Sequence, residues 1–159
     1  MPVHDERQPF ERLLDVLDRV IARVDAMHSP AHDFGTGVPL YRTEIHTIRA
    51  IGENPRINVS SLAEHMGVTK GAVSQTVNKL VRKGLARKTR APDNAREVLL
   101  ELTDRGWTGF HNHERFHSQM FDTARQHYGD RLGPKIESFI AVMNDLNDIL
   151  DRYEQTTTK

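Results

Sequence analysis

Hydrophobic residues recur at helical spacing along most of the chain. At residues 10–28 they follow one another in steps of four and three, with charged residues between them, which predicts an amphipathic helix. Similar patterns predict helices at 43–51, 61–66 and 70–83, and a last helix after Gly133 and Pro134. A long helix is expected at 104–128. The chain is therefore predicted to be mainly α-helical.

Two segments break the helical pattern. Residues 85–90 and 97–102 have the alternation of strands, and residues 91–95 between them contain Pro, Asp and Asn, which favour a turn. Together they predict a β-hairpin. Residues 29–39 hold two prolines and two glycines and are predicted to form a loop.

Signals at helix ends complete the predicted architecture. Ser61 and Glu64 fit a capping box, Gly67 is suited to end the helix at 61–66, and Thr69 is suited to cap the next helix. We therefore predict a mainly α fold with a small β-hairpin wing. It forms a single domain over residues 1–159, in which a winged helix-turn-helix module at 43–102 is flanked by helices at 10–28 and 104–154.

The order helix, turn, helix, hairpin is typical of proteins that bind duplex DNA. The helix at 70–83 has one apolar side, and its other side presents short polar and basic residues that fit a major groove. Gln75 and Asn78 are expected to read base edges, and Thr69 and Ser74 to contact phosphates. The residues predicted to contact DNA are Ser60, Thr69, Lys70, Gly71, Ser74, Gln75, Asn78 and Lys79 on the helices, and Arg90, Asn94 and Arg96 on the wing.

Charge is distributed unevenly in a chain whose formal net charge is zero. Residues 70–96 hold eight basic side chains and one acidic one. On charge alone, a solvated surface and a nucleic-acid contact surface are equally good interpretations. Because the basic stretch coincides with the predicted reading helix and wing, duplex DNA is the favoured partner.

Composition narrows the remaining classes of protein. The chain has no cysteine, which excludes disulfides and thiol catalysis and fits a reducing compartment. No apolar stretch approaches the roughly 18 residues that a membrane span needs. The first ten residues contain acids and no apolar core of a signal peptide. We expect a cytoplasmic protein that associates with the nucleoid and has no membrane partner.

Three stretches resemble the MarR family of bacterial and archaeal regulators: LAEHMGVTKGAVS at 62–74, KLVRKGL at 79–85 and LTDRG at 102–106. The resemblance implies a homodimeric transcriptional regulator, a repressor and not an enzyme, that binds a pseudo-palindromic operator. The sequence departs from the family pattern at Asn94, where the wing usually carries an Asp that orients Arg96. The family's interlocking terminal helices assign the dimer interface to Phe10, Leu14, Leu17, Ile21, Phe139, Met143, Leu146, Leu150 and Tyr153.

The nine histidines raise a second possibility. His113, Glu114 and His117 fit the H-E-x-x-H pattern, in which two imidazoles hold zinc and the glutamate is the general base of a hydrolase. Thr123 stands where a third ligand of the extended pattern would be. A metal-dependent hydrolase is therefore the weaker alternative to a DNA-binding regulator.

His113 and His117 fit a regulatory metal site better than a hydrolytic one. In the zinc-responsive branch of the MarR family the ligands are similar to His46, His113 and His117, and His28 stands where an acidic ligand is usual. His32, Asp33 or water are alternatives for that fourth position. Imidazoles suit Zn²⁺ but also Ni²⁺, Co²⁺ and Cu²⁺. An organic aromatic effector, or no effector, stays open as an alternative.

Overall fold

The computed structural model describes residues 7–27, 31–91 and 94–157, and the side chains of residues 91–96 and 157 lie outside that description. Within these residues the chain is mainly α-helical with one two-stranded hairpin, which confirms the predicted fold class. The elements are α1 (Arg7–Met27), α2 (Arg42–Glu53), α3 (Val59–Met66), α4 (Lys70–Arg82), β1 (Ala86–Ala91), β2 (Asn94–Leu102), α5 (Asp104–Tyr128), a 3-10 turn (Gly129–Arg131) and α6 (Leu132–Thr157).

The start of α3 corrects the predicted capping box. The helix begins at Val59, and its cap is Asn58, whose Oδ1 accepts from the Ser61 amide at 2.9 Å. Ser61 is thus inside the helix and is not its cap. Asparagine is among the best capping residues, and the Asn58 side chain is also held by its Nδ2, which donates to Glu97 Oε1 at 2.8 Å.

Two further boundaries differ from the predicted ones. β1 reaches Ala91 and β2 begins at Asn94, so the predicted turn at 91–95 is too long; a shift of register between Arg90 and Ala91 lets the strands pair further. Residues 92 and 93 lie outside the described ranges. α6 begins at Leu132, ahead of Pro134, because proline in the first turn of a helix lacks only an N–H that would have no partner there.

The hydrophobic core lies in the winged helix. It is formed by residues from α2, α3, α4 and the hairpin, together with Leu40 and Leu85. The sheet is antiparallel, and its register places Lys88 opposite Leu100. A backbone hydrogen bond from Leu100 N to the Ile57 carbonyl, 2.9 Å long, attaches the hairpin to the residues that precede α3. The hairpin is therefore packed into the module and does not project from it as an isolated ribbon.

Two compact units are present in the chain. The first is Met1–Glu114 and contains the whole winged helix, and the second is Arg115–Lys159 and contains the end of α5, the 3-10 turn and α6. In the described ranges, no helix combines the length and the apolar character needed to cross a bilayer. The single-domain organisation expected from the sequence stays a prediction.

Candidate nucleic-acid interface

The position of helix α4 is fixed by its N-terminal cap, by the turn before it and by its buried side. Thr69 Oγ1 accepts from the Ala72 amide at 3.3 Å and caps the first turn, as predicted. Val73, Val77 and Leu80 are buried in the core. Gly67 ends α3 with φ of 63°, a left-handed conformation that favours glycine, and so sets the direction in which α4 leaves the turn.

The opposite side of α4 is open to solvent. All but one of the residues predicted on this helix to contact DNA are exposed, and Ser74 is half-buried. Ser60, in the first turn of α3, is also exposed. The exposed set is Thr69, Lys70, Gly71, Gln75, Asn78 and Lys79. A helix with this surface can approach a groove without first displacing any other part of the winged helix.

The hairpin supplies the second part of the interface. Arg90 is exposed on β1 and lies opposite Val98 of β2. The backbone of Asn94 and Arg96 belongs to β2, but their side chains lie outside the described part of the structure. Their predicted roles in the wing stay predictions.

Lys88 joins the hairpin to α4 and is not among the residues predicted from the sequence to contact DNA. Its Nζ donates to Asn78 Oδ1 at 2.7 Å, so a residue predicted to read bases is held by a cation of β1. The neighbouring Arg87 bonds instead to Glu101 across the sheet, at 2.9 Å. The period-two alternation of a strand separates Arg87 from Lys88, and that signal was available in the sequence.

A nearly buried ion pair holds the C-terminal end of α4. Lys83 Nζ donates to Glu44 Oε2 at 2.7 Å and to the Pro39 carbonyl at 2.8 Å. The same carboxylate accepts from the Tyr41 amide at 2.9 Å. Glu44 is only 4% exposed, and burial of a carboxylate is unfavourable unless partners such as these satisfy it. The pair connects α4 to the first turn of α2.

The loop before α2 is fastened to α5 by side chains that bond to its backbone. Arg105 donates to the Thr36 carbonyl through Nε at 3.1 Å and Nη2 at 2.6 Å. Asn112 Nδ2 donates to the Phe34 carbonyl at 2.9 Å. The described part of the predicted loop, residues 31–39, contains no helix, as predicted, and it is attached to α5 at several points.

Two of the four histidines predicted to bind metal lie side by side. The rings of His46 and His113 are 5.4 Å apart between centroids, edge to face, and Phe34 packs on the other side of His113 at 5.5 Å. His113 is 1% exposed and His46 is half-buried. The Nε2 atom of His46 and the Nδ1 atom of His113 are both buried. The structure therefore brings together one imidazole from α2 and one from α5.

The other predicted ligands are placed differently. His117 belongs to the C-terminal unit, and His28 lies outside the described residues. His32 Nε2 bonds to the Met27 carbonyl at 2.7 Å, and Asp33 Oδ1 accepts from the Gly37 amide at 2.9 Å. Among the described residues, no group of three or more His, Cys, Asp or Glu side chains could hold a metal ion.

The H-E-x-x-H segment lacks the features of a hydrolytic centre. His113 is buried beside aromatic rings, and Glu114 forms an ion pair with Arg49 at 3.3 Å. A general base must have its carboxylate directed at a water bound beside the substrate, whereas the Glu114 carboxylate is directed at Arg49. The segment contributes packing and an ion pair to the N-terminal unit.

The terminal helices carry apolar stripes on their surfaces. None of the 21 residues of α1 is buried, and Phe10, Leu14 and Ile21 are among its exposed apolar residues. On α6, Phe139 is 58% exposed and Tyr153 is 65% exposed. The other residues predicted at a dimer interface are the exposed Leu150 and the half-buried Leu17, Met143 and Leu146. Within each unit these stripes stay largely in contact with solvent.

Known proteins with similar sequences are transcriptional regulators. The family model described as the MarR family matches residues 40–98. The chain is 37% identical over 115 residues to the HTH-type transcriptional regulator YhjH of Bacillus subtilis, an alignment that covers 72% of the chain and 62% of YhjH. Across the curated relatives that it matches, the chain spans between 48% and 62% of their length.

Solved structures share the fold over nearly the whole chain. The structure of FabT from Streptococcus pneumoniae in complex with DNA has a TM-score of 0.68 and 25% identity, and the match covers 92% of this chain and 98% of FabT. ZitR of Lactococcus lactis, a zinc-responsive MarR family member, has a TM-score of 0.64 and 21% identity, covering 87% and 96%. The relatives and the fold are those of regulators and not of enzymes. By these comparisons the winged helix, at residues 40–98, matches the MarR family, and the chain shares the fold of that family's solved members.

Proposed function

We propose that the protein is a transcriptional regulator that binds duplex DNA through α4 and the hairpin. The observation that carries the proposal is the two-sided character of α4, which buries Val73, Val77 and Leu80 and exposes a polar face. That face lies within the stretch of eight basic residues and one acidic residue at 70–96. Positive charge supplies affinity for phosphates, and short polar side chains allow close approach to bases. The FabT complex, in which a protein of the same fold is bound to DNA, supports this use.

The regulator acts as a homodimer on a pseudo-palindromic operator, and as a repressor. The exposed apolar stripes of α1 and α6 support the dimer, because apolar faces of this size are normally covered. Two copies related by a twofold axis present two α4 helices to half-sites about one turn of DNA apart. The proposal places the protein in the cytoplasm, at the nucleoid.

Selection from a pool of randomised duplexes tests DNA binding. The purified protein is expected to enrich an inverted repeat, and binding to the enriched duplex is expected to weaken steeply as salt rises. Gln75→Ala with Lys70→Ala should remove most of the affinity. Lys135→Ala, on α6, is the matched control and should leave it unchanged. Failure to enrich any sequence would show that the assignment is wrong.

A second proposal concerns the input that controls DNA binding. The buried contact between His46 and His113 favours this pair as the responsive element, because it joins α2 to α5 behind the reading module. Two imidazoles are half of a tetrahedral zinc set, so the described residues fit the metal only in part. His28 and His117 stay the further ligands predicted from the sequence, and a metal bound by His46 and His113 would fix the separation of α2 and the part of α5 that holds His113.

Metal analysis distinguishes zinc from an organic effector. The metal-stripped protein is expected to take up stoichiometric Zn²⁺, and His46→Ala with His113→Ala should abolish the uptake. His127→Ala, an exposed histidine of α5, is the control. If the wild-type protein takes up no Zn²⁺, the metal proposal is wrong, and binding of an aromatic acid, measured by calorimetry, becomes the test of the alternative.

A further inference from the structure

One hydrogen bond joins the surface of α4 to the hairpin. Lys88 Nζ donates to Asn78 Oδ1 at 2.7 Å, and both residues are exposed. Lys88 lies opposite the buried Leu100, so its side chain leaves the sheet on the face that packs against the helices. The bond links a residue in the middle of the candidate reading surface to a cation of the basic stretch at 70–96.

The bond changes what Asn78 can offer to a base. An asparagine side chain has one carbonyl oxygen, which can accept twice, and one amino group, which donates twice. Lys88 occupies one lone pair of the oxygen with a charged donor, and a bond of this kind is stronger than a neutral one. The Nδ2 amino group and the remaining N–H groups of Lys88 are donors. The lone pair that is left on the oxygen lies beside the Lys88 ammonium, whose positive charge disfavours the approach of a second amino group.

The bases differ in what they present to such a surface. Asparagine recognises adenine by donating to N7 and accepting from the N6 amino group, which requires a free carbonyl oxygen. Guanine presents N7 and O6 in the major groove, two acceptors side by side. A pair that offers mainly donors, and whose remaining lone pair lies beside an ammonium, is therefore better matched to guanine than to adenine.

We infer that Asn78 and Lys88 together read a guanine in each half-site, and that Lys88 determines this specificity by holding the Asn78 oxygen. The inference rests on the proposed function, since it requires α4 to lie in a major groove. Lys88 thus acts as a positioning residue as well as a source of charge. Without it, the same asparagine would be free to bind adenine through both of its polar groups.

Selection from the randomised duplex pool, followed by sequencing, tests the inference. The wild-type protein is expected to enrich guanine at one position in each half-site. Lys88→Met keeps the aliphatic stem and removes the donor, so the preference at that position should shift towards adenine by roughly tenfold, in line with the discrimination of a bidentate contact. Lys88→Arg restores a donor and should restore guanine. Asn78→Ala tests the pair from the helix and should remove the preference altogether.

Lys79→Met is the matched control, because it removes one charge from the same exposed surface. It should weaken binding to all sequences alike and leave base preferences unchanged. If Lys88→Met behaves like Lys79→Met, Lys88 contacts only phosphates and the inference is wrong. If the wild-type protein enriches no sequence, the proposed function itself fails, so the two failures are distinguishable.

Discussion

Helices α4 and α6 have the same kind of apolar periodicity and opposite surroundings. On α4 the periodic residues Val73, Val77 and Leu80 are buried by the rest of the winged helix. On α6, Phe139 and Tyr153 belong to an equally regular stripe and are more than half exposed. The comparison shows that residue spacing predicts an apolar face. It does not predict what packs against that face, which can be another part of the same chain or a second chain.

The difference has an energetic consequence. Burial of a large aliphatic side chain contributes about 1.5–3 kcal/mol, and α4 gains this within its own unit. Each exposed residue of the α6 stripe gains little until a partner covers it. The winged helix is therefore expected to be stable at any protein concentration, and the terminal helices only when two copies associate.

The largest effect is expected from equal truncations in the two helices. Leu80→Ala leaves a cavity in the core and should lower the free energy of unfolding by about 2–5 kcal/mol. Leu150→Ala, at a position that is 51% exposed, should instead make the melting temperature depend more strongly on protein concentration. Thermal unfolding at several concentrations measures both. A concentration-independent loss of the same size in the two variants would contradict the comparison.

The second-largest loss of stability is expected when Lys83, the cation at the C-terminal end of α4, is removed. Lys83→Met leaves the Glu44 carboxylate buried without its cation, which should cost about 3 kcal/mol, at the low end for a buried pair because Lys83 is partly exposed. Arg7→Met breaks the exposed pair with Glu11 on α1 and should cost under about 1 kcal/mol. Urea unfolding gives both values. Equal losses would mean that the burial of Glu44 is unimportant.

Substitution of one glycine in each unit by alanine is expected to give a smaller difference in stability. A Cβ atom added at Gly106 would overlap the Leu85 carbonyl oxygen, and the backbone cannot move aside as a flexible side chain could. Gly106→Ala should therefore cost about 1–3 kcal/mol. Gly133, in the first turn of α6, has open space around it, so Gly133→Ala should raise stability slightly. Calorimetric melting of both variants checks the signs, and a stable Gly106→Ala protein would refute the close approach.

The smallest effect distinguishes the observed cap of α3 from the predicted one. Asn58→Ala removes the bond to the Ser61 amide and the one to Glu97, and should lower stability by about 1 kcal/mol. Ser61→Ala should change it by less than about 0.5 kcal/mol, as expected for an exposed surface residue. If the two losses are reversed, the capping box predicted from the sequence was correct after all. Urea unfolding again supplies the measurement.

Local patterns were enough to predict most of the fold. The buried positions of α4, the cap at Thr69 and the end of α3 at Gly67 all follow from residues within a few positions of one another. The same holds for the exposed polar face of α4. These features could be predicted because propensity, capping and periodicity act over one or two helical turns.

Contacts between distant residues could not be predicted in the same way. Glu44 and Lys83 are 39 positions apart, and so are Asn58 and Glu97, and no local signal pairs them. The bond between Lys88 and Asn78 needs the packing of β1 against α4, which exists only in the folded module. His46 and His113 were predicted together through a family likeness, and the structure places their rings in contact.

The segment between α1 and α2 has a consequence for protein engineering. Its prolines and glycines make it look like a place to insert a tag or a binding module. Yet the carbonyl groups of Phe34, Thr36 and Pro39 accept bonds from Asn112, Arg105 and Lys83, so an insertion would disrupt the attachment of this loop to α5 and to the C-terminal end of α4. Fusion partners are better joined beyond α6, whose final turns are exposed.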